Sequence, residues 1–475
     1  MSENTKKAHA FKNDVLGEWD AVGLAAKIKN KEISAKEAVA ASIERAKAVN
    51  PHINAIVTQL YDRALEESVK GHEGPFAGVP MFFKDMLAVK GVPTYHGTTA
   101  NKNTKAATTT DPIVKQIFAQ GFINLGMSTM PEFGFTASTE FHNAKATRNP
   151  WNTDHSAGGS SGGSSALVAA GVVPIAHAAD GGGSIRIPAG ACGLVGLKAS
   201  RGRLLQASKF KRQPVEIAID GVVSRTVRDT AHFYAEAEKY YKNKRLPALG
   251  LISGPSYRKY KIGFTGNSVK GMGADAATMF GMQQTAKLLE SMGHEVVPFD
   301  LPVKDRFVED FANLWSVGGF YFHRYGKKVF GEEYEPAELS DLTIGLSERF
   351  QQNKAKTMAS IIRLRNSFRQ YRRMFKKSGL DIILTPTTAH VPPAIGYLSM
   401  TLPYETLFER IQNWACFTPY HNATGGPSIS LPVQHYQEDD LPMGMLLSAN
   451  LGQESVLLDL AYQLEAANPW KKITD

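Results

Sequence analysis

Two cysteines in 475 residues, Cys192 and Cys416, are too few and too far apart for a disulfide framework or a zinc site. Both are expected as buried small hydrophobes in a reducing compartment. The chain also lacks any run of eighteen apolar residues, which excludes a membrane-spanning helix. Its opening, MSENTKKAHAFKNDVLGEWD, has no apolar stretch of the secretory kind. A cytoplasmic protein without metal or cofactor is therefore expected. A concentrated basic patch is missing too: the net charge is +9, but the basic residues are dispersed, which argues against a nucleic-acid or membrane-surface partner. They are densest from Arg363 to Lys377, where Leu364, Phe368, Tyr371 and Phe375 recur at helical intervals. That pattern reads as the solvated face of an amphipathic helix, and less well as a docking site for an acidic partner.

What the chain does have is a large stock of core residues, 43% hydrophobic, and 42 glycines gathered largely into turns. Ser34-Ala-Lys-Glu37 has the form of a capping box, so a helix is expected from there to about Val49, ended by Pro51. A second helical stretch is expected from about Val57 to Val69, followed by a strand and loop holding Lys84, a helix over 112–120 and the strand FINLG. After Gly202, helical and strand patterns alternate to the C-terminus: YKIGF, EVVPFDLP, LDIILTP, PSISLPV and PMGMLLSA read as buried strands between helices. This alternation argues for an α/β fold with one sheet covered on both faces. No repeat or linker interrupts it, so residues 1–475 are expected as one domain.

Between Ser156 and Gly202 glycine, serine and alanine dominate. Apolar residues flank each turn, so this is a punctuated core and not a flexible linker. Two turns stand out, SAGGSSGGSS from Ser156 and DGGGSIRIP from Asp180. Neither has the GxxxxGK[ST] form that cradles phosphate. Residues 158–162 fit GxSxG, the nucleophile elbow of α/β-hydrolases, which would make Ser160 the nucleophile with a distant histidine as base. An elbow follows directly from a buried strand, whereas Ser160 follows the polar TRNPWNTDHSA.

Taken with the lysine segment GVPMFFKD, the two turns resemble those of the amidase-signature family. SAGGSSGGSSALVAAG is similar to its bridging-serine segment and DGGGSIRIPAGACGLVGLKASRGR to its nucleophile segment, with the two serines 184 − 160 = 24 residues apart. HNATGGPSISLPV and LPMGMLL resemble its C-terminal strands. The resemblance implies a mixed, twisted sheet with helices on both faces and a catalytic core over about 75–230. It also implies roles: Ser184 as nucleophile, Ser160 as a bridging serine on a cis peptide after Gly159, and Lys84 as base. Serine is a weak nucleophile near neutral pH and needs a group to take its proton. Lysine can do so only when neutral, which requires an environment that lowers its amine from the unperturbed ~10.4. Lys84 follows Pro80, Met81, Phe82 and Phe83, which suits burial. By the same resemblance the amides of Gly181, Gly182, Gly183 and Ser184 form an oxyanion hole, Asp180 and Arg186 pair behind it, and Ser161 steadies Lys84. A purely structural role for that pair suits the residues equally well.

The expected substrate is a small-molecule amide. FTPYHNATGGPSISLPV, LGQESVLLDLAYQLEAANPW and TRNPWN look most like the 6-aminohexanoate-cyclic-dimer-hydrolase branch of the family, implying a linear or cyclic small amide. The competing branch is the A subunit of glutamyl-tRNA amidotransferase, which releases ammonia from glutamine. Its Asp-Ile-(Tyr/Phe)-Thr stretch before Asn422 is replaced here by NWACFTPYHNATGG. Specificity is expected in the variable region over about 305–415, where Trp315, Phe320 and Tyr321 either wall an acyl pocket or serve as core aromatics. The sequence leaves a homodimer open.

Overall fold

The computed structural model describes residues 6–208, 213–269 and 271–475. Its strands are β1 (Ile56–Gln59), β2 (Pro80–Lys84), β3 (Ile123–Ser128), β4 (Ile175–Asp180), β5 (Val195–Lys198), β6 (Ile219–Ser224), β7 (Lys261–Phe264), β8 (Glu295–Pro298), β9 (Ile382–Pro386), β10 (Ser428–Tyr436) and β11 (Leu441–Ala449). They form an eight-stranded mixed sheet in the order β4-β6-β5-β10-β11-β9-β7-β8 and a separate three-stranded sheet in the order β1-β3-β2. In the large sheet β9, β7 and β8 run parallel and the remaining neighbours antiparallel. The α/β class is as the alternation implies. The second sheet is not, because periodicity marks a strand without naming its partner.

Period-two alternation explains how helices cover both faces of the large sheet. Met443 and Met445 of β11 point toward Gly281 in the helix Ala276–Ser291. Gly444 and, on β10, Ser430 point the other way, against Gly190 in the helix Arg186–Cys192. A Cβ on Gly444 would lie 2.7 Å from the Gly190 Cα, so only glycine lets this short helix rest on the strands. The helix carrying the second glycine-rich turn is thus clamped to the centre of the sheet.

Two local expectations change. The capping box exists, with Glu37 N–H donating to Ser34 Oγ at 3.1 Å and Ser34 N–H to Glu37 Oε2 at 2.7 Å. Its helix, Ala35–Ile53, runs through Pro51 to a left-handed Asn54. A proline in the last turn removes one helical bond near an end that frays anyway. The stretch expected as helix from Val57 begins as β1, because pairing with β3 outweighs local helical propensity; the helix is Tyr61–Ser68.

The basic segment lies on the helix Lys354–Ser378. Leu364, Tyr371 and Phe375 are buried while Arg365, Arg369, Arg372 and Lys376 are exposed, as expected of a solvated face. Among the described residues no helix is long and apolar enough to cross a membrane, and no cluster of His, Cys, Asp or Glu could hold a metal ion.

Candidate active site

Every residue of β2 is buried, so its terminal lysine enters the protein interior. Lys84 is 1% exposed. Its Nζ donates to Ser160 Oγ at 2.7 Å, Ser161 Oγ at 3.0 Å and the Ala179 carbonyl at 3.4 Å. Its backbone N–H donates to His177 Nδ1 of β4 at 3.3 Å, joining the small sheet to the large one. Ser161 Oγ in turn donates to the Ala179 carbonyl at 3.2 Å and accepts from the Ala179 N–H at 3.3 Å, which holds the hydroxyl beside the lysine nitrogen. The Gly159–Ser160 peptide is cis, as expected, and the helix Gly162–Ala169 begins two residues after Ser160.

The second turn leaves β4 at Asp180, whose carboxylate organises everything after it. Oδ1 accepts from Gly183 N–H at 2.7 Å; Oδ2 accepts from Ile185 N–H at 3.1 Å and Arg186 N–H at 3.4 Å. These satisfy donors that a helix start otherwise leaves open. Arg186 closes a two-pronged pair, Nε to Oδ2 and Nη2 to Oδ1, each at 2.8 Å, with both side chains fully buried. Burial alone would raise the Asp180 carboxyl, but the Arg186 charge and its hydrogen bonds outweigh it and hold the group below the usual carboxylate range. Burial, aided by the Arg186 charge, pushes Lys198 and His421 well down.

The oxyanion-hole expectation named the amides of Gly181, Gly182, Gly183 and Ser184. The Gly183 N–H already donates to Asp180, whereas those of Gly181, Gly182 and Ser184 have no protein acceptor among the described residues. Gly183 has a different function: its φ is +137° and a Cβ there would lie 2.3 Å from Thr418 Oγ1. Gly183→Ala is therefore expected to displace the turn and lower kcat on an amide substrate about 10²-fold or more, the scale of one lost oxyanion donor. Steady-state kinetics check this, with Gly181→Ala as the milder comparison, since no atom lies within 4 Å of a Cβ at that position.

Ser184 is half-buried and shares one cavity, ≈ 210 Å³, with Lys84, Ser160, Gly181 and Gly182. The wall is apolar: Phe135, Met272, Phe307, Phe311, Trp315 and Ile411 contribute. On the helix Arg306–Phe330, Val308, Phe311, Ala312 and Trp315 line it at the i, i+3, i+4, i+7 spacing of a single face. Of the three candidate wall aromatics, then, Trp315 lines the cavity. Phe320 and Tyr321 fall on other faces of the helix; Phe320 packs on Phe350 with ring centroids 4.5 Å apart, and Tyr321 is 49% exposed. Lining also comes from Phe133–Ala137 and from Gln213, Ile217, Val269 and Met272, outside the region expected to set specificity.

Several residues that support the site lie in the C-terminal segment FTPYHNATGGPSISLPV, where the sequence shows a resemblance and assigns no individual role. Thr418 Oγ1 donates to the Gly182 carbonyl at 2.6 Å and its own carbonyl accepts from Arg186 Nη1 at 2.9 Å. Asn422 Nδ2 donates to the Asp180 carbonyl at 2.9 Å and to Oδ1 at 2.8 Å, while Asn422 Oδ1 accepts from Arg186 Nη2 at 2.6 Å. Ser428 Oγ accepts from Nη1 at 3.1 Å. More than two hundred residues separate this group from the turn it holds, so no spacing rule reaches it.

A family model described as Amidase matches residues 37–458. The chain is 43% identical over 470 residues to "Putative amidase AmiC" of Mycobacterium tuberculosis, covering 98% of both. It is 31% identical to the 6-aminohexanoate-cyclic-dimer hydrolase of Paenarthrobacter ureafaciens, covering 95% of both. The solved structure of a 6-aminohexanoate cyclic dimer hydrolase superposes with a TM-score of 0.84 at 29% identity, over 98% of this chain and 99% of that one. A bacterial aryl acylamidase of the amidase-signature family gives 0.81 at 26% identity, over 96% and 97%. An α/β fold with a mixed sheet, matched to this family over most of its length, defines a hydrolase acting on carbon–nitrogen bonds. The chain belongs to the amidase-signature family.

Proposed function

We propose that the protein hydrolyses the C–N bond of a small linear or cyclic amide through an acyl-enzyme on Ser184, with Ser160 and Lys84 as the proton path. The observation that carries this reading is the Lys84 side chain, shut inside the protein with its nitrogen 2.7 Å from Ser160 Oγ, at the floor of the cavity that Ser184 lines. In the proposed cycle the neutral Lys84 amine draws a proton from Ser160 Oγ. Ser160 takes the proton of Ser184 Oγ as that oxygen bonds to the carbonyl carbon. The amides of Gly181, Gly182 and Ser184 receive the charge that develops on the carbonyl oxygen. Ser160 then passes its proton to the leaving nitrogen and recovers one from the Lys84 ammonium, the C–N bond breaks, and water, deprotonated by the same relay, attacks the acyl carbon and releases the acid with Ser184 reprotonated.

Glutamine is a poor fit to this cavity. Its α-ammonium needs a carboxylate, and among the described lining residues the one carboxylate is Asp180, already paired with Arg186. A Ser160 nucleophile served by histidine fits poorly as well, since no histidine is among those lining residues. A fluorophosphonate is expected to label Ser184, as read by peptide mass spectrometry, and labelling is expected to disappear in Ser184→Ala. An adduct on Ser160, or loss of activity through a histidine substitution alone, would overturn the assignment.

A further inference from the structure

The basic end of the helix Lys354–Ser378 forms one wall of a second cavity, ≈ 480 Å³, which shares no lining residue with the cavity of Ser184. Arg372, Arg373 and Lys376 line it from the helix, and Arg258 from the stretch leading into β7. Against these four cations the described lining holds one carboxylate, Asp381. That carboxylate is already engaged: Oδ1 accepts from Arg258 Nη2 at 3.3 Å and Oδ2 from the Lys261 N–H at 3.0 Å. Arg372, Arg373 and Lys376 make no hydrogen bond or ion pair with any described residue. Basic residues are common at the end of a helix, where the dipole amounts to about half a negative charge. Lys377 stands in the same last turn without lining the cavity, so half a charge does not account for three further cations converging on one hollow.

We infer that this cavity binds a small polyanion, a molecule carrying two or more linked phosphate groups. Unpaired cations held side by side repel one another, and an anion among them removes that repulsion. Guanidinium groups match phosphate oxygens two at a time, and Arg372 and Lys376 lie one helical turn apart on the same face, so a chain of phosphates can reach both. Asn450 and Gln453 supply neutral amides on another side of the hollow. A volume of ≈ 480 Å³ is that of a small-molecule site, within the range of roughly 300–1,000 Å³. A flat anionic membrane would meet only its rim. The site stands apart from the chemistry at Ser184, and its test is a binding test.

The full-length protein is titrated by calorimetry, at about 0.15 M salt, with inorganic tripolyphosphate, pyrophosphate and hexaglutamate, and sedimented with phosphatidylserine vesicles. Tripolyphosphate is expected to bind tightest, and Arg372→Ala/Lys376→Ala to weaken it about tenfold or more, the scale of a lost charge-assisted hydrogen bond. Arg365→Ala/Arg369→Ala removes the same charge from exposed positions of the same helix outside the cavity, and is expected to change the affinity less than about twofold. Alanine at exposed helical positions preserves the helix, which circular dichroism checks. Absence of tripolyphosphate binding, equal losses in the two double variants, or tighter binding of hexaglutamate or vesicles than of tripolyphosphate would each overturn the inference.

Discussion

Replacing Lys84 by methionine is expected to lower kcat on an aryl amide about 10⁴-fold or more, the scale at which one member of a coupled nucleophile, relay and base is removed. Methionine nearly fills the volume of the lysine stem and cannot accept a proton, so the loss reports chemistry more than packing. Ser184→Ala is expected to fall to a similar floor, and the double variant no further, because residues that act as one unit do not contribute additively. Rapid-quench measurement of the acylation step, with near-UV circular dichroism to check the fold, reads the effect. If Lys84→Met kept more than a tenth of the activity, the proton would have to leave Ser184 by another route. None is evident among the described lining residues: the other ionisable groups are Asp180, bound to Arg186, and the Cys416 thiol, which burial pushes up to about 12.

Arg186→Met is expected to cost about 3–5 kcal/mol of stability and nearly all activity, measured by denaturant unfolding and steady-state kinetics. The guanidinium holds two oxygens of Asp180, the Thr418 carbonyl, Asn422 and Ser428 at once, in a region with no solvent to replace it. Removing it leaves an unpaired carboxylate in the interior. The double variant Asp180→Asn/Arg186→Met is expected to recover part of the stability, because the uncompensated charge goes too. Activity is expected to stay low, since the Asn at 180 accepts through a single oxygen and the amides of Gly183 and Ile185 are fixed through two. The pH dependence follows from the direction of the Asp180 shift. A carboxyl whose folded value lies below its unfolded value stabilises the protein above the unfolded value, near ~3.9, and loses that contribution as pH falls toward the folded one. The stability gap between wild type and the double variant is therefore expected to be full at neutral pH and to narrow below about pH 4.

The reach of local reading is clear at particular residues. Ser160, Ser184 and Lys84 stand in strings whose composition is unusual for any other purpose: glycines that permit a tight turn around a serine, and a lysine at the end of Pro-Met-Phe-Phe. The capping box at Ser34 and the buried face of the helix Lys354–Ser378 rest on interactions a few residues apart, so they too are legible. Expectations failed where a longer-range partner decided the outcome. Residues 57–59 pair with β3 across the small sheet. Of the three aromatics left open as pocket wall or core, the helix face puts Trp315 on the cavity and Phe320 and Tyr321 elsewhere. Locally Gly183 reads as one more oxyanion donor, but its N–H is given to Asp180.

By itself, then, the order of residues determined the chemical groups, the turns that carry the two serines and the burial of the lysine stem. These depend on backbone sterics and on apolar neighbours within a few positions. Only the tertiary structure decided which amides of the turn remain open, that Thr418 and Asn422 brace it from the far end of the chain, and that Trp315 lines the cavity beside Ser184. Contacts across hundreds of residues are fixed by how sheets and helices close over one core. That closure is a property of the whole packed chain, and no short stretch of it carries the information.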